Sequence, residues 1–157
     1  MRPPVLLIAV ISWSLAAASC AGTRPTNLGV GTGRLAPCPA SPNCISSDDA
    51  DTDHWASPLV FDGDPATAWS AARTAVLSLP RTEIVSETEG YLHAECRSAV
   101  FGFVDDLELH LRLEGGIIAV RSASRLGYSD WGVNRHRVEE LRATLTRQAV
   151  IRQAVGD

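Results

Sequence analysis

YLHAECRS (91–98) and DLELHLRLE (106–114) are the two segments that decide the fold of this chain. In the second segment, apolar residues occupy every odd position from Leu107 to Leu113, and charged residues or His occupy the even positions. The first segment alternates in the same way. A period of two indicates a strand with one buried face and one polar face. The two segments therefore predict an antiparallel hairpin.

The polar residues also predict a register for that hairpin, with its turn at residues 101–102. In this register Arg97 faces Asp106, and His93 faces His110. A shift of one residue would move every apolar side chain to the polar face.

Helical signals flank these strands. Asp64 and Pro65 are typical of an N-cap and a first helical residue, and Pro80 ends that helix. Apolar residues recur at helical spacing from Val138 to Ala149 and predict a second helix. Further strands are predicted at 59–61, 83–86 and 117–124.

The resulting order is β-α-β-β-β-β-α. It predicts an α+β domain with a twisted antiparallel sheet of about four to five strands and two helices packed on one face. Both the TATA-binding-protein-like half-fold and the helix-grip fold have similar orders, and the pattern leaves both open.

The first 19 residues predict a signal peptide. Arg2 is followed by an apolar run over residues 5–11 and then by small residues, which is typical of secretion, and the run is shorter than the about 20 residues of a membrane span. The small residues before Cys20 resemble the lipobox of bacterial lipoproteins, although Ala17 stands where Leu is usual. Acylation of Cys20, with palmitate among the expected acyl chains, is the favoured interpretation. Plain secretion and an uncleaved anchor are the alternatives.

Three regions follow from these signals: a signal peptide (1–19), a lipid-anchored tether with a disulfide-clipped loop (20–53), and a single α+β domain (54–157). Cys38 and Cys44 bracket a loop with two prolines, and outside the cytoplasm we expect them to form a disulfide. A metal pair is the alternative. Cys96 falls on the apolar face of its strand and is expected to be a buried free thiol.

The net charge and the absence of known catalytic motifs narrow the range of possible functions. The chain has 14 Lys or Arg and 18 Asp or Glu, a formal net charge of −4, which argues against a nucleic-acid binder. All the basic residues are Arg, which reflects either genomic composition or anion recognition by guanidinium forks. The sequence has no nucleophile elbow, phosphate loop or zinc helix motif. No catalytic residue and no cofactor is therefore predicted.

Polar residues recur between Arg97 and Arg135 at positions where a fold without a functional site would not require them. They predict either a binding pocket for a small anion or an internal ion-pair network. Arg121 and Arg125 are expected to flank one site, with Asp105, Asp106 and Asp130 as counter-charges. The candidate ligand-binding residues are Arg97, Asp105, Asp106, Arg121, Ser122, Ser124, Arg125, Ser129, Asp130, Asn134 and Arg135.

A weaker candidate is a transition-metal site on the polar face of the hairpin. It would use His93, Glu95, Glu108 and His110, since imidazoles and carboxylates are common ligands of such metals. The favoured interpretation is a solvated face with cross-strand charge pairs, in which no metal is bound.

Several motifs, in this order, resemble the domain of unknown function 1499 family. They are LAPCPASPNCISS (35–47), YLHAECRS (91–98), FGFVDDLEL (101–109) and VRSASRLGYSDWGVNRHRVEELR (120–142). The resemblance spans residues 35–145, implies a bacterial envelope or secreted setting, and implies no catalytic residues. Cys96 departs from the family pattern, where a small or apolar residue is expected. The positions that match the pattern are Cys38, Pro39, Ser41, Pro42, Asn43, Cys44, Arg97, Asp105, Asp106, Arg121, Ser122, Ser124, Arg125, Ser129, Asp130, Asn134 and Arg135.

These signals are consistent with two functions. The favoured one is a non-catalytic envelope lipoprotein that binds a small anionic or apolar ligand or an envelope protein. The alternative is an enzyme of unrecognised chemistry that uses the Arg/Asp/Ser cluster. The expected partner is the membrane, through a lipid anchor, and no nucleic acid is expected. The expected location is the extracytoplasmic side of the cell envelope, in the outer membrane if the host has one, with secretion as the alternative.

Overall fold

A computed structural model describes residues 21–152 of the chain and confirms the α+β fold. The predicted signal peptide and Cys20 lie outside the described residues. In chain order the elements are β1 (Val30–Gly31), β2 (Arg34–Leu35), β3 (Cys44–Ser46), β4 (Leu59–Val60), α1 (Pro65–Ser78), β5 (Thr82–Thr88), β6 (Tyr91–Arg97), β7 (Val104–Arg112), β8 (Ile117–Ser124) and α2 (Val133–Arg147).

Both helices begin as the local chemistry predicts. The Asp64 carboxylate accepts the backbone N–H of Thr67 at 2.8 Å, and Pro65 occupies the first turn, so α1 has a side-chain cap. Gly132 precedes α2 with φ +80°, a conformation that favours glycine. The Asp130 carboxylate accepts the backbone N–H of Asn134 at 2.7 Å and so satisfies a free amide of the first turn.

The main sheet is open, antiparallel and six-stranded. Its strands lie in the order β3-β8-β7-β6-β5, and β4 also pairs with β8. The extra strand relative to the prediction is β3, which pairs with the end of β8 opposite Ala123. Three residues are too few for a recognisable alternation, and this strand lies within the segment that was predicted to contain a disulfide-clipped loop. The strands β1 and β2 form a separate two-stranded sheet.

The predicted register of the β6–β7 hairpin is wrong by two residues. Asp106 lies opposite Glu95, not opposite Arg97. The loop is longer than the predicted turn, and it is closed by the backbone N–H of Ser98, which donates to the carbonyl of Phe103 at 2.9 Å. A two-residue shift keeps every side chain on its predicted face. The predicted division into an apolar and a polar face is therefore correct.

The apolar face of the sheet and the two helices form one hydrophobic core. Strand residues and helix residues contribute side chains with no exposed surface, which is the arrangement expected when helices cover one face of a sheet. Fully buried members include Leu92, Leu107, Leu109, Ile118, Val120, Val76, Val138, Leu141 and Leu145.

The other face of the sheet is covered by the chain that precedes β3. Arg24 bonds to Glu95 in β6, and the backbone N–H of Gly29 donates to Glu108 in β7. A disulfide joins Cys38 to Cys44, with a Cα–Cα distance of 5.6 Å, which confirms the predicted bridge. The segment that was expected to be a tether and a loop thus contacts the sheet.

Within the described residues Cys96 is a free cysteine, and it is buried, as predicted. None of the helices within residues 21–152 is long and apolar enough to span a bilayer.

We expect thiol counting to give one reactive cysteine after denaturation and none before it, in a variant that carries Cys20→Ser. Cys38 and Cys44 are bridged, and Cys96 is 3% exposed. Burial also raises the pKa of the Cys96 thiol, so little reactive thiolate is present. A further two thiols in the absence of reductant would contradict the bridge, and Cys96→Ala is the control that should leave no signal.

Candidate functional site

The polar face of the sheet carries a buried set of ionisable side chains, which we call the charged cluster. Strand alternation brings its members to one face, because β6, β7 and β8 are neighbours. A sheet face that is solvated would leave such groups exposed, whereas here they are covered by the preceding chain. The charged cluster consists of His93, Glu95, Asp106, Glu108, Arg121 and Arg125.

Arg125 is at the centre of the charged cluster. Its Nε and Nη2 donate to the two oxygens of Asp106 at 2.9 and 2.7 Å, and Nη2 also donates to Glu95 Oε1 at 2.7 Å. The ring of His93 bonds to Asp106 Oδ1 at 2.7 Å. Burial opposes ionisation of Asp106, but the hydrogen bonds from Arg125 and His93 outweigh it and lower the pKa of that carboxyl. Asp106 is therefore a buried, fully bonded carboxylate.

Glu108 is the second bonded carboxylate, and its side chain has no exposed surface. Its Oε2 accepts from Arg121 Nη1 at 3.0 Å, and its Oε1 accepts from the Tyr91 hydroxyl and the Gly29 amide, each at 2.8 Å. Burial, followed by the charge of Glu108, raises the pKa of Tyr91. The phenol is thus a hydrogen-bond donor to Glu108.

Residues 24–39, which we call the strap, close over the charged cluster. Arg24 Nη2 donates to Glu95 Oε1 at 2.6 Å. Burial opposes ionisation of Glu95, but hydrogen bonds from Arg125 and then Arg24 lower the pKa of this carboxyl. Farther along the strap, the backbone N–H of Leu35 donates to Asp48 at 2.8 Å, and Asp48 also pairs with Arg112 of β7. Strand and strap donors together satisfy the carboxylates of this face.

A cavity of about 400 Å³ lies between the strap and the charged cluster. Arg121 lines it and is 4% exposed. Within residues 21–152 the guanidinium of Arg121 has one hydrogen-bond acceptor, Glu108, and its Nε is buried without a partner. A guanidinium has five N–H donors, and among those of Arg121 the Nε–H is buried without an acceptor. The lining residues are Pro25, Asn27, Pro37, Cys38, Pro39, Asp106, Arg121, Ala123, Ser124 and Arg125.

A second polar group lies on the helix side of the sheet. Asp105 bonds to Arg137 of α2 at 2.6 Å, and the Ser122 hydroxyl donates to Asn134 at 2.6 Å. The Asn134 amide nitrogen donates to the Ser124 hydroxyl at 2.9 Å and to the carbonyl of Asn43 at 3.0 Å. These bonds fix the start of α2 to β7, to β8 and to the residue that precedes β3.

The predicted set of candidate residues therefore divides between two faces. Asp105 and Asp130 were expected as counter-charges for Arg121 and Arg125, and this expectation was wrong. Asp105 points to the helix side because odd positions of β7 do, and Asp130 bonds to amides at the start of α2. The counter-charges are Glu95, Asp106 and Glu108.

The remaining predicted residues lie at the margins of the two groups. Arg97, the last residue of β6, donates to Glu95 Oε2 at 2.8 Å. Arg135 donates to the backbone carbonyls of Asp53 and Trp55. The Ser129 hydroxyl accepts the backbone N–H of Trp131 at 3.3 Å. Arg24, Tyr91 and Arg137 were not predicted; Arg24 and Arg137 join their clusters only through tertiary contacts.

The four weak metal candidates share the polar face, as their alternation predicts. The carboxylates of Glu95 and Glu108 are bonded to guanidinium groups, and His93 is bonded to Asp106. The Nδ1 of His110 lies 3.3 Å from Arg112 Nε. Within residues 21–152 no group of three or more such side chains is arranged to hold a metal ion.

Residues 34–145 match the family model described as "Protein of unknown function (DUF1499)". No curated protein matches the chain.

We expect Arg121→Ala to lower the free energy of unfolding by about 3–5 kcal/mol, because it leaves the buried Glu108 carboxylate without its cation. Urea unfolding would measure this loss. Arg73→Ala is the matched control: Arg73 pairs with Glu87 at 2.9 Å but is 45% exposed, so its loss should be within about 1 kcal/mol. Equal losses in the two variants would contradict the assignment of Arg121 to a buried pair.

Proposed function

The chain belongs to the DUF1499 family of proteins of unknown function. From the sequence before Cys20 and the geometry of the charged cluster, we propose that it is a non-catalytic envelope lipoprotein that binds a small anionic ligand. The ligand site is the cavity between the strap and the charged cluster. The anchor is a lipid on Cys20.

The proposal rests on the incomplete hydrogen bonding of the buried Arg121 side chain. This guanidinium is buried, lines the cavity, and has a single acceptor within the described residues. Buried polar groups are normally hydrogen-bonded, and leaving donors unsatisfied costs free energy. An anion in the cavity would supply the missing acceptors, and a planar carboxylate or a phosphate suits the guanidinium fork.

The charge balance of the site supports an anion. The charged side chains that line the cavity are the guanidinium groups of Arg121 and Arg125 and the carboxylate of Asp106. All three side chains are at most 5% exposed, and together they carry one more positive than negative charge. In a covered site such an excess is screened less than at an open surface. The excess therefore favours a bound anion over a cation.

The walls of the cavity suit a small ligand. Pro25, Pro37 and Pro39 lie on the strap side, and each restricts the backbone. The disulfide of Cys38 fixes one end of the strap to β3. A volume of about 400 Å³ is within the range of small-molecule pockets. A pre-formed wall of this kind lowers the ordering cost of binding.

We expect phosphate to raise the melting temperature of the full chain, purified in detergent, beyond the effect of chloride at equal ionic strength. A ligand that binds only the folded state at 100 times its Kd adds about 2.7 kcal/mol of stability. Arg121→Lys keeps the charge beside Glu108 but loses the fork, so its melting temperature should lose most of the phosphate response.

The control for this experiment is Arg73→Lys, which changes an exposed Arg away from the cavity and should respond like the unaltered chain. Native mass spectrometry of the same sample would identify a co-purified anion. If phosphate, sulfate and small carboxylates leave the melting temperature unchanged relative to chloride, the charged cluster is an internal ion-pair network and the ligand proposal fails.

We expect Cys20→Ala to release the protein from the membrane fraction or to leave its precursor uncut, because the lipid attaches to that thiol. The small residues before Cys20 support this expectation. Mass spectrometry of the N-terminal peptide would detect the acyl group. A Cys20→Ala protein that is cut and still fractionates fully with membranes would rule out the lipid anchor, with Cys96→Ala as the control substitution.

A further inference from the structure

The surface of the domain has an unusual concentration of exposed apolar side chains at one end of the sheet. The most exposed are Trp131 at 95%, Val100 at 81%, Tyr128 at 76% and Phe101 at 66%. Phe103 and Leu126 are also exposed, and the rings of Phe101 and Phe103 lie 5.6 Å apart. Large contiguous apolar patches mark interaction sites, whereas single exposed apolar residues are normal.

These residues belong to two loops that leave the sheet side by side. The first loop connects β6 to β7 and the second connects β8 to α2. The backbone N–H of Arg125, which directly precedes the second loop, donates to the carbonyl of Val104, which directly follows the first, at 3.1 Å. We call the two loops (98–103 and 126–132) the apolar tip.

The chain segment that follows Cys20 lies against the apolar tip. A Cβ atom placed on Gly22 would be 2.9 Å from Arg125 Cβ and 3.0 Å from Leu126 Cγ, so this glycine backbone packs directly on the second loop. Two residues of extended chain span at most about 7 Å. A group attached to Cys20 is therefore attached within that backbone reach of Gly22.

We propose that the apolar tip docks on the lipid bilayer, with Trp131, Tyr128 and Phe101 inserted at the interface. This inference deepens the proposed function and rests on its lipid anchor, since Gly22, two residues after Cys20, packs on the tip. Trp and Tyr are the side chains enriched at membrane interfaces. Aromatic side chains buried in the headgroup region add apolar contact to that of an acyl chain.

The charges of the apolar tip indicate which lipids it binds. The loop 98–103 has no charged residue, and the loop 126–132 has one, Asp130. The Asp130 carboxylate accepts from the backbone N–H groups of Gly132 and Asn134. Neither loop contains a basic residue, and the arginines that directly precede the loops, Arg97 and Arg125, are paired with Glu95 and Asp106 and are not free to attract anionic headgroups. Docking therefore depends on apolar insertion and not on lipid charge.

Nitroxide labels on the full chain, reconstituted in vesicles, test the docking. Phe101→Cys places a label on the apolar tip, and Leu113→Cys places the matched control on the β7–β8 turn at the opposite end of the sheet, where Leu113 is also 66% exposed. The parent chain, labelled in parallel, corrects for background. We expect the ratio of oxygen to nickel-chelate collision rates to rise on vesicle binding at residue 101 and to stay unchanged at residue 113, equally in neutral phosphatidylcholine and in phosphatidylglycerol vesicles.

The outcomes separate the two proposals. Equal exposure of both labels to the chelate overturns docking, even if mass spectrometry shows an acylated Cys20. A buried label at residue 101 supports docking, and the acyl mass alone then decides whether the lipid anchor exists. Protection of residue 101 that is the same without vesicles and grows with protein concentration indicates a second copy of the chain on the tip, and it overturns docking on the bilayer.

Discussion

The bidentate bond between Arg125 and Asp106 is the interaction on which the polar half of the structure depends. An isolated carboxylate in the interior of a protein is strongly disfavoured, and it remains ionised only if cations and hydrogen-bond donors surround it. Arg125 supplies three hydrogen bonds to Asp106 and Glu95, and it thereby ties β6 to β7 through their side chains. Once these two strands carry buried carboxylates, the chain needs further donors from outside the sheet. The strap supplies them through Arg24 and the Gly29 amide.

This requirement explains why the sheet has two differently built faces. On the helix side, apolar side chains form the core, and a few polar bonds such as Asp105–Arg137 fix where α2 begins. On the strap side, ionic and hydrogen-bonded contacts replace apolar packing. Hydrophobic contacts are non-directional, whereas a network of guanidinium and carboxylate groups holds one geometry. A cavity lined by Arg121 can persist on the strap side because directional hydrogen bonds, in addition to packing, hold the surrounding groups in place.

Structural features that depend on local periodicity could be predicted from the sequence. Features that depend on contacts between residues distant in sequence could not. The alternation in 106–114 correctly assigned each side chain to its face, and the spacing of Cys38 and Cys44 correctly predicted a bridge. The hairpin register failed because opposite charges suggested Arg97 across from Asp106, while the loop length decided the pairing. Asp106 was correctly expected as a counter-charge of Arg125. Glu95 was not expected as a counter-charge and Arg24 was not predicted at all, since Glu95 lies on another strand and Arg24 is 71 residues away from it. A covering strap of Gly and Pro has no periodicity, so its contacts were not predictable.

Arg125 also connects the two sites that we propose. Its guanidinium belongs to the charged cluster and lines the cavity, and its backbone N–H joins the bases of the two loops that form the apolar tip. Gly22 packs on this residue, and Arg24 bonds to the same carboxylate that Arg125 holds. A lipid-anchored domain on a flexible tether would sample many heights and orientations above a bilayer. Because the segment after Cys20 is bonded to the sheet, a domain docked by the apolar tip would instead hold its cavity in one orientation to the membrane. In that arrangement, the contacts that neutralise the buried carboxylates would also set the direction in which the cavity faces.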